Sequence, residues 1–443
     1  MDTMIGRFVC IAVFLFGSSM PVVTFASPEI PGAPQTAPIA LVGGTVYPVS
    51  GPTIEGGVVL FRRGRISYVG RKRSFPAGTK VIDVSGKHVF PGLCDAYTNL
   101  GLVEVNRVRA SVDHAETGQL NPNVRAQVAV NPDSELIPVT RSNGVLLAAT
   151  VPTGGLMAGK SAVLQLDGWT YEDLTVKAEA GLHINWPSIS PHDEWWVEGT
   201  TASRLRQSTQ ALKALQQAFD DARAYHRSRL ADVSQPTDVR WEAMRPVIEG
   251  ELPVIVSANE LQQIQDAVAF AVRNKVRLII YGGYDAVHCA AALVEHEVAV
   301  IVGNVYRLPR RRDDDYDAAF TLPDRLRRAG VKFCISGSGR FGAANVRNLP
   351  YHAATAVAYG LPKEAALRAI TLSPAEILGT ADRVGSLAKG KDATLFVANG
   401  NPLLTATRVE SAYIQGRRVV LSDRHKRLWR KYREKYRRIG QPE

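Results

Sequence analysis

The sequence predicts an α/β fold, because strand and helix patterns alternate through the middle of the chain and short β patterns stand at both ends. Between residues 91 and 379, apolar runs typical of strands buried on both faces are followed by helical patterns. Such alternation is typical of a βα barrel. The flanking residues 40–90 and 380–421 instead show partly alternating apolar and polar residues between Gly and Pro. That pattern indicates antiparallel strands of a small sheet.

Five apolar segments give the strongest strand signal in the middle region: GVLLAATVP, ELPVIVSA, VRLIIYGG, EVAVIVGN and VKFCISGS. Helical patterns follow several of them. In one, apolar residues at spacings of 3, 4 and 3 begin at Leu261 and fall on one helix face. Asn259 is its predicted N-cap, with Gln262 completing a capping box. A long amphipathic helix is predicted over residues 202–229.

Residues 1–26 are predicted to be a secretory signal peptide. Arg7 precedes an apolar run that ends at Gly17, and a small-x-small cleavage site ends at Ala26. The run is shorter than the roughly 20 residues that span a bilayer, and an uncleaved anchor is the alternative. A Pro-rich linker, residues 27–39, follows. We therefore expect an exported protein, periplasmic or extracellular.

The cysteines indicate neither a disulfide framework nor a zinc–thiolate site. Cys94, Cys289 and Cys334 remain after the signal segment, in apolar contexts and without a C-x-x-C spacing. The absence of G-x-S-x-G likewise gives no signal for a nucleophilic triad.

Much of the formal net charge of +11 lies in the basic C-terminal segment, residues 422–443, where residues 423–438 carry +7. Leu428, Trp429, Tyr432 and Tyr436 form a narrow apolar stripe on the helix predicted there. Such a helix suits an anionic membrane surface, through residues 422–438. The alternative is that the stripe packs on the small β domain. Nucleic acid is not an expected partner of an exported protein, whereas a homo-oligomer is compatible with the sequence.

Several motifs resemble the amidohydrolase superfamily. DVSGKHVFPGLCDAYTNLG resembles the segment in which the first barrel strand of that superfamily begins, and LVGGTVYP, GRISYVG and GSLAKGKDATLFV resemble its composite β domain. NPNVRAQVAVNPDSELIPVTRSNGV and NVRNLPYHAATAVAYGL resemble its exported imidazolonepropionase-like branch. The resemblance implies a TIM-type (β/α)8 barrel, residues 91–379, inserted in a small composite β domain built from both chain ends. The basic helix or tail then follows.

The resemblance also implies where a divalent metal, usually zinc, would be bound. The superfamily uses a histidine pair after strand one, a histidine after each of strands five and six, and an aspartate after strand eight. The matching positions here are Tyr97, Asn99, Ser257, Tyr281 or Gly282, and, within the segment Ser336-Gly337-Ser338-Gly339, Ser338. None is an expected zinc ligand. We therefore predict no bound metal and no cofactor.

Other residues are weaker candidates for metal binding, and surface-loop polarity is the competing interpretation for them. They are His114 with Glu116, His192 with Asp193 and Glu194, and Lys160 as a carboxylated lysine.

Polar residues also collect at predicted strand ends, where a barrel carries its binding site. They are Asn99, Glu104, Asn304, Arg307, Arg340, Asn345 and Arg347. Arg307, Arg340 and Arg347 would suit an acidic ligand, and hydrogen bonds that hold loops in place are the alternative. Ser336 and Ser338 lie between glycines, which suits a tight turn or an anion nest.

Three functions are compatible with these observations. Family resemblance implies a hydrolase of non-peptide C–N bonds in small amides or cyclic ureides. The substituted metal positions indicate instead a catalytically inactive relative that binds a small molecule in the pocket where the superfamily carries out its chemistry. The basic tail indicates an interaction protein of the cell envelope.

Overall fold

The computed structural model describes residues 30–71, 74–188, 200–337 and 342–440. Several sequence predictions lie outside these ranges: the signal peptide, the loop residues His192, Asp193 and Glu194, and the strand-end residues Ser338 and Arg340. Within the described ranges, no helix combines the length and the hydropathy that a bilayer span requires.

The described ranges contain the strands β1 (Ile39–Val46), β2 (Ile54–Arg62), β3 (Arg65–Gly70), β4 (Lys80–Asp83), β5 (His88–Pro91), β6 (Leu93–Thr98), β7 (Val145–Thr150), β8 (Met157–Gln165), β9 (Thr175–Asn185), β10 (Val254–Ala258), β11 (Leu278–Gly282), β12 (Ala299–Val302), β13 (Phe333–Ile335), β14 (Leu395–Ala398), β15 (Val409–Ile414) and β16 (Arg417–Val419). The α-helices are α1 (Leu136–Arg141), α2 (Tyr171–Leu174), α3 (Thr201–Ala231), α4 (Val239–Ile248), α5 (Leu261–Asn274), α6 (Ala290–Glu295), α7 (Ala318–Arg328), α8 (Gly342–Asn345), α9 (Leu349–Ala358), α10 (Lys363–Ala369), α11 (Leu372–Ile377) and α12 (Arg424–Arg438). The five segments with the strongest strand signal form β7, β10, β11, β12 and β13.

One sheet takes its strands from both ends of the chain, as predicted. Its order is β16-β15-β14-β5-β1-β2-β3, with β4 also paired to β1. The two chain ends meet where β5 and β14 run antiparallel, with Phe90 opposite Phe396. Both rings are buried and stack with centroids 5.4 Å apart. Apolar packing therefore joins the N-terminal and C-terminal parts of the sheet.

The second sheet contains eight strands in chain order from β6 to β13 and forms the predicted barrel. β8 is antiparallel to both β7 and β9, whereas the other neighbouring strands are parallel. A parallel neighbour needs a crossover of about a dozen residues or more. The links 151–156 and 166–174 on either side of β8 are shorter than that. The barrel therefore departs from a regular repeat of eight βα units at β8.

A buried carboxylate links β6 and β13, the two end strands of the barrel sheet. Asp95 of β6 accepts hydrogen bonds from the Ser336 hydroxyl (2.6 Å) and from the Gly337 backbone N–H (3.0 Å). The Ser336 hydroxyl also lies 2.9 Å from the carbonyl oxygen of Tyr97. These bonds close the barrel where the strand ladder ends.

Helix α5 begins one residue later than predicted. Its N-cap is Glu260, in an extended conformation, and Gln263 completes the capping box. The Gln263 side-chain oxygen accepts from the backbone N–H groups of Asn259 and Glu260, each at 3.2 Å. The prediction of Asn259 as cap with Gln262 as partner was therefore wrong by one position. The long helix predicted over residues 202–229 is present as α3.

The three cysteines within the described ranges, Cys94, Cys289 and Cys334, are buried free thiols. Burial raises the pKa of Cys94, of Cys289 and of Cys334. Because the thiolate is the reactive form, these residues are inert structural thiols at neutral pH.

Candidate functional site at the barrel mouth

Two stacked tyrosines fill the barrel at the ends of β6 and β11. The rings of Tyr97 and Tyr281 are parallel, with centroids 3.4 Å apart and 1° between their planes. The small side chains of Ala149 and Ala299 in the same interior cluster leave room for the two rings. Tyr97 is only 7% exposed, whereas Tyr281 is half-buried. Tyr281 is thus the member of the pair that solvent or a ligand can reach.

Ser257, at the end of β10, holds the Tyr97 phenol. The two side chains are hydrogen-bonded, and burial raises the pKa of Tyr97 to about 12 despite that bond. The phenol is therefore neutral over the physiological pH range. Tyr97, Ser257 and Tyr281, the last given with Gly282 as the alternative, were predicted to match the family's metal positions, and they are in contact as a mainly aromatic cluster.

His183 joins this cluster and was missed in the sequence analysis. It lies on β9, where it is 3% exposed, and its ring meets that of Tyr97 edge to face at a centroid distance of 5.6 Å. Neither ring nitrogen has a hydrogen-bond partner among the described residues. Burial lowers the pKa of His183 to about 3, so the imidazole is neutral at physiological pH. The feature of the sequence that could have identified His183 is that a histidine interrupts the apolar run of a buried strand.

Asp95 is the second group that the sequence analysis did not select. It is fully buried and accepts a third hydrogen bond, from the backbone N–H of Tyr97 at 3.1 Å. Burial raises the pKa of Asp95 to about 6, and the hydrogen bonds oppose that shift. Ser336, a candidate for a turn or an anion nest, thus uses its hydroxyl to bind this carboxylate.

Arg307, in the loop after β12, brings a positive charge to the same region. Its guanidinium lies 5.0 Å from the ring centroid of Tyr284, and the Tyr281 phenol is close enough to affect its pKa. Burial, followed by repulsion from Arg310, lowers the pKa of Arg307. Arg310 approaches Glu260 at 3.5 Å, and Arg311 binds Asp285 through two nitrogens.

Arg310 and Arg311 each form an ion pair with a carboxylate. Within the part of the chain that the structure describes, no carboxylate forms an ion pair with Arg307.

The other predicted strand-end residues serve mainly to hold loops. The Asn99 amide donates to the Val151 carbonyl at 2.8 Å, and Glu104 accepts from the Ser134 hydroxyl at 2.5 Å. The Asn304 side chain accepts from the Tyr306 backbone N–H at 2.8 Å. These bonds correspond to the alternative interpretation of the polar strand ends.

Asn345 and Arg347 lie at exposed positions beyond β13. The Arg347 carbonyl accepts from the side chain of Asn143, which precedes β7. Of the described arginines in the predicted pocket, Arg307 is the one placed beside the tyrosine pair.

The weaker metal-ligand candidates are bound to other protein groups. His114 contacts the Thr153 hydroxyl at 2.6 Å, and Glu116 accepts from Thr117. Lys160 forms an ion pair with Glu179 at 2.7 Å. In the described residues, no three His, Cys, Asp or Glu side chains are grouped so that they could hold a metal ion.

An eight-strand barrel sheet joined to a sheet from both chain ends is the architecture expected of amidohydrolase-like proteins. The sequence model of the Amidohydrolase family matches residues 293–419. The chain belongs to the amidohydrolase superfamily, as its motifs predicted.

Comparisons with known proteins agree with this assignment. The chain is 22% identical to the amidohydrolase tasK of Hapsidospora irregularis over 419 residues, which cover 84% of this chain and 41% of tasK. It is 23% identical to the imidazolonepropionase of Mesorhizobium japonicum over 408 residues, or 85% of this chain and 92% of that protein. A solved amidohydrolase structure from Thermotoga maritima is similar over 86% of this chain and 99% of its own, with a TM-score of 0.76 and 25% identity. The chain thus spans less than half the length of tasK.

Proposed function

We propose that this chain binds a small acidic molecule at its barrel mouth and has no resident catalytic metal. The observation that carries the proposal is Arg307, a half-buried cation beside the Tyr97–Tyr281 pair without a carboxylate partner among the described residues. A buried cation without a counter-charge is costly, and a bound anion would offset that cost.

The residues at the family's metal positions do not fit a zinc ion. A catalytic zinc needs three nitrogen, sulfur or carboxylate ligands and an open position. Here Tyr97 and Tyr281 cover each other's rings, Ser257 bonds to a phenol, and the Asn99 amide donates to a backbone carbonyl. The proposal therefore contains no metal-dependent step.

The chemistry of the mouth defines the class of ligand. A guanidinium binds a carboxylate through two parallel hydrogen bonds, which fixes the orientation of the anion. Tyr281 offers a half-exposed aromatic surface for an apolar or planar body. A water or a polar ligand group that reached His183 would satisfy its unpaired ring nitrogens. These features favour a small carboxylate with a planar or apolar part.

Hydrolysis of non-peptide C–N bonds is the competing function, and superfamily membership is what favours it. It would require catalytic groups other than those at the family's metal positions. Release of ammonia or of a ring-opened product from small amides and cyclic ureides, abolished by a chelator, would support it over the binding proposal.

The test is calorimetric titration with small carboxylates, each paired with its neutral primary amide. We expect binding of at least one carboxylate, no binding of its amide, and a loss of about 10- to 100-fold in affinity in Arg307→Gln, the range for hydrogen bonds to a charged group. Arg312→Gln, an exposed arginine in the same loop, is the matched control and should bind as the parent does. Equal affinities of the Arg307 and Arg312 variants, or binding of no carboxylate, would overturn the proposal.

A further inference from the structure

The C-terminal helix α12 is attached to the body of the protein at its first turns. Its N-cap, Asp423, is 2% exposed and accepts from the Lys426 backbone N–H at 2.9 Å. Arg427 reaches Glu135 beside α1 at 2.5 Å, and the Lys426 ammonium donates to the Leu421 carbonyl at 2.6 Å. None of the residues of α12 is buried.

The apolar stripe of this helix is exposed. Leu428, Trp429, Tyr432 and Tyr436 are 41%, 60%, 48% and 47% exposed. At 3.6 residues per turn they fall within an arc of about 100°. The sequence left open the alternative that the stripe packs on the small β domain. The exposed fractions of these four side chains do not fit that alternative.

The attachment turns the stripe outward. Arg427, which binds Glu135, lies about 150° around the helix from the centre of the stripe at 3.6 residues per turn. Because the side that faces α1 is the basic one, the opposite, aromatic side is directed away from that contact. The helix is about 22 Å long at 1.5 Å per residue, long enough to present all four apolar side chains along one surface.

Basic groups flank the aromatic rings. The Lys435 ammonium lies 5.8 Å from the Tyr436 ring centroid, the Lys431 ammonium 5.9 Å from that of Tyr432, and the Arg433 guanidinium 5.1 Å from that of Trp429. Residues 423–438 hold nine Lys or Arg against Asp423 and Glu434, a net +7. Glu434 is already paired with Arg437 and Arg438.

We propose that α12 binds the surface of an anionic lipid bilayer, with the four-residue stripe in the interface and the cations at the headgroups. Tyrosine and tryptophan suit that depth because each has an apolar ring and a polar tip. The charge of the surface is complementary to that of the helix, and each Lys or Arg near it strengthens binding about fivefold. The helix lies in the plane of the membrane and does not cross it.

Co-sedimentation of the full chain with vesicles tests this proposal. We expect binding to phosphatidylcholine vesicles that contain phosphatidylglycerol, much weaker binding to pure phosphatidylcholine, and a decrease as salt is raised. Lys431→Gln with Lys435→Gln should weaken binding about 25-fold. The combination Trp429→Ser, Tyr432→Ser and Tyr436→Ser should weaken it at least tenfold. These side chains are exposed, so the stability of the fold should not change.

The matched control removes three exposed apolar side chains elsewhere, through Leu205→Ser, Leu230→Ser and Val233→Ser. These residues are 49%, 73% and 76% exposed and belong to α3 or follow it. The control should sediment as the parent does. Equal binding by the stripe variant and the parent, or no binding by the parent, would refute the proposal. A parent dimer that the stripe variant loses, without vesicle binding, would assign the stripe to a second copy of the chain instead.

Discussion

The carboxyl group that links β6 and β13 should leave a measurable signature in the pH dependence of stability. Asp95 is fully buried, and burial raises its pKa to about 6, whereas an unfolded aspartate titrates near 3.8. The perturbation is Asp95→Asn. Asparagine has the size of the neutral acid and retains one carbonyl acceptor for Ser336 or Gly337, but it does not titrate.

The direction in which the free energy of unfolding changes with pH follows from the number of protons bound by the folded and unfolded states. Between pH 4 and pH 6 the folded protein keeps the Asp95 proton that the unfolded chain has lost. The free energy of unfolding contributed by this group therefore falls as pH rises. A shift of about two pKa units corresponds to about 3 kcal/mol, of which roughly 2 to 3 kcal/mol appears between pH 4 and pH 7.

The assay is urea unfolding of the parent and of Asp95→Asn at pH 4, 5, 6 and 7. The two proteins share all other titrating groups, so the difference between their free energies of unfolding isolates Asp95. We expect the parent to lose about 2 to 3 kcal/mol relative to the variant from pH 4 to pH 7. A difference that is constant with pH, or that changes in the opposite direction, would refute the assignment of a buried, titrating carboxyl to this junction.

Two further predictions concern the tyrosine cluster. Because burial lowers the pKa of His183 to about 3, the stability from its neutral ring is present above pH 6.5 and is lost as pH falls towards 3. His183→Leu should therefore be less sensitive to acid than the parent in the same urea assay, by about 3 kcal/mol between pH 7 and pH 4. Ser257→Ala leaves the buried Tyr97 phenol without its hydrogen bond and should destabilise the protein by about 1 to 3 kcal/mol. Adding Tyr97→Phe should recover part of that loss, since both polar partners are then gone, and a double mutant no more stable than Ser257→Ala would contradict the bond.

The general architecture was predictable because its signals are local. Strands buried on both faces give continuous apolar runs, and the sheet from both chain ends is marked by Gly and Pro between alternating residues. The reversed direction of β8 was not predicted, although the short links at 151–156 and 166–174 carry that information. The N-cap of α5 was predicted one residue too early because both Asn259 and Glu260 are followed three residues later by a glutamine.

The candidate site was predictable in its positions but not in its contacts. The motif register selected Tyr97, Ser257 and either Tyr281 or Gly282, yet ring stacking between residues so distant in sequence depends on the barrel geometry. His183 was hidden in an apolar run, where only its burial beside Tyr97 distinguishes it. Arg307 and Arg347 were both predicted at strand ends, and nothing in the sequence distinguished them. In the structure Arg307 lies beside the tyrosines, whereas the backbone of Arg347 contacts Asn143.

Metal content most directly tests the proposal that the Tyr97–Tyr281 pair and its neighbours, which stand at the family's metal positions, bind no metal ion. The chain is expressed in rich medium, purified without chelator, dialysed, and analysed for zinc, iron and manganese by mass spectrometry. We predict well below one equivalent of each metal per chain, and no change in melting temperature when zinc is added. One equivalent of a metal that resists dialysis would contradict the proposal of a metal-free site, as would a rise in melting temperature with added zinc.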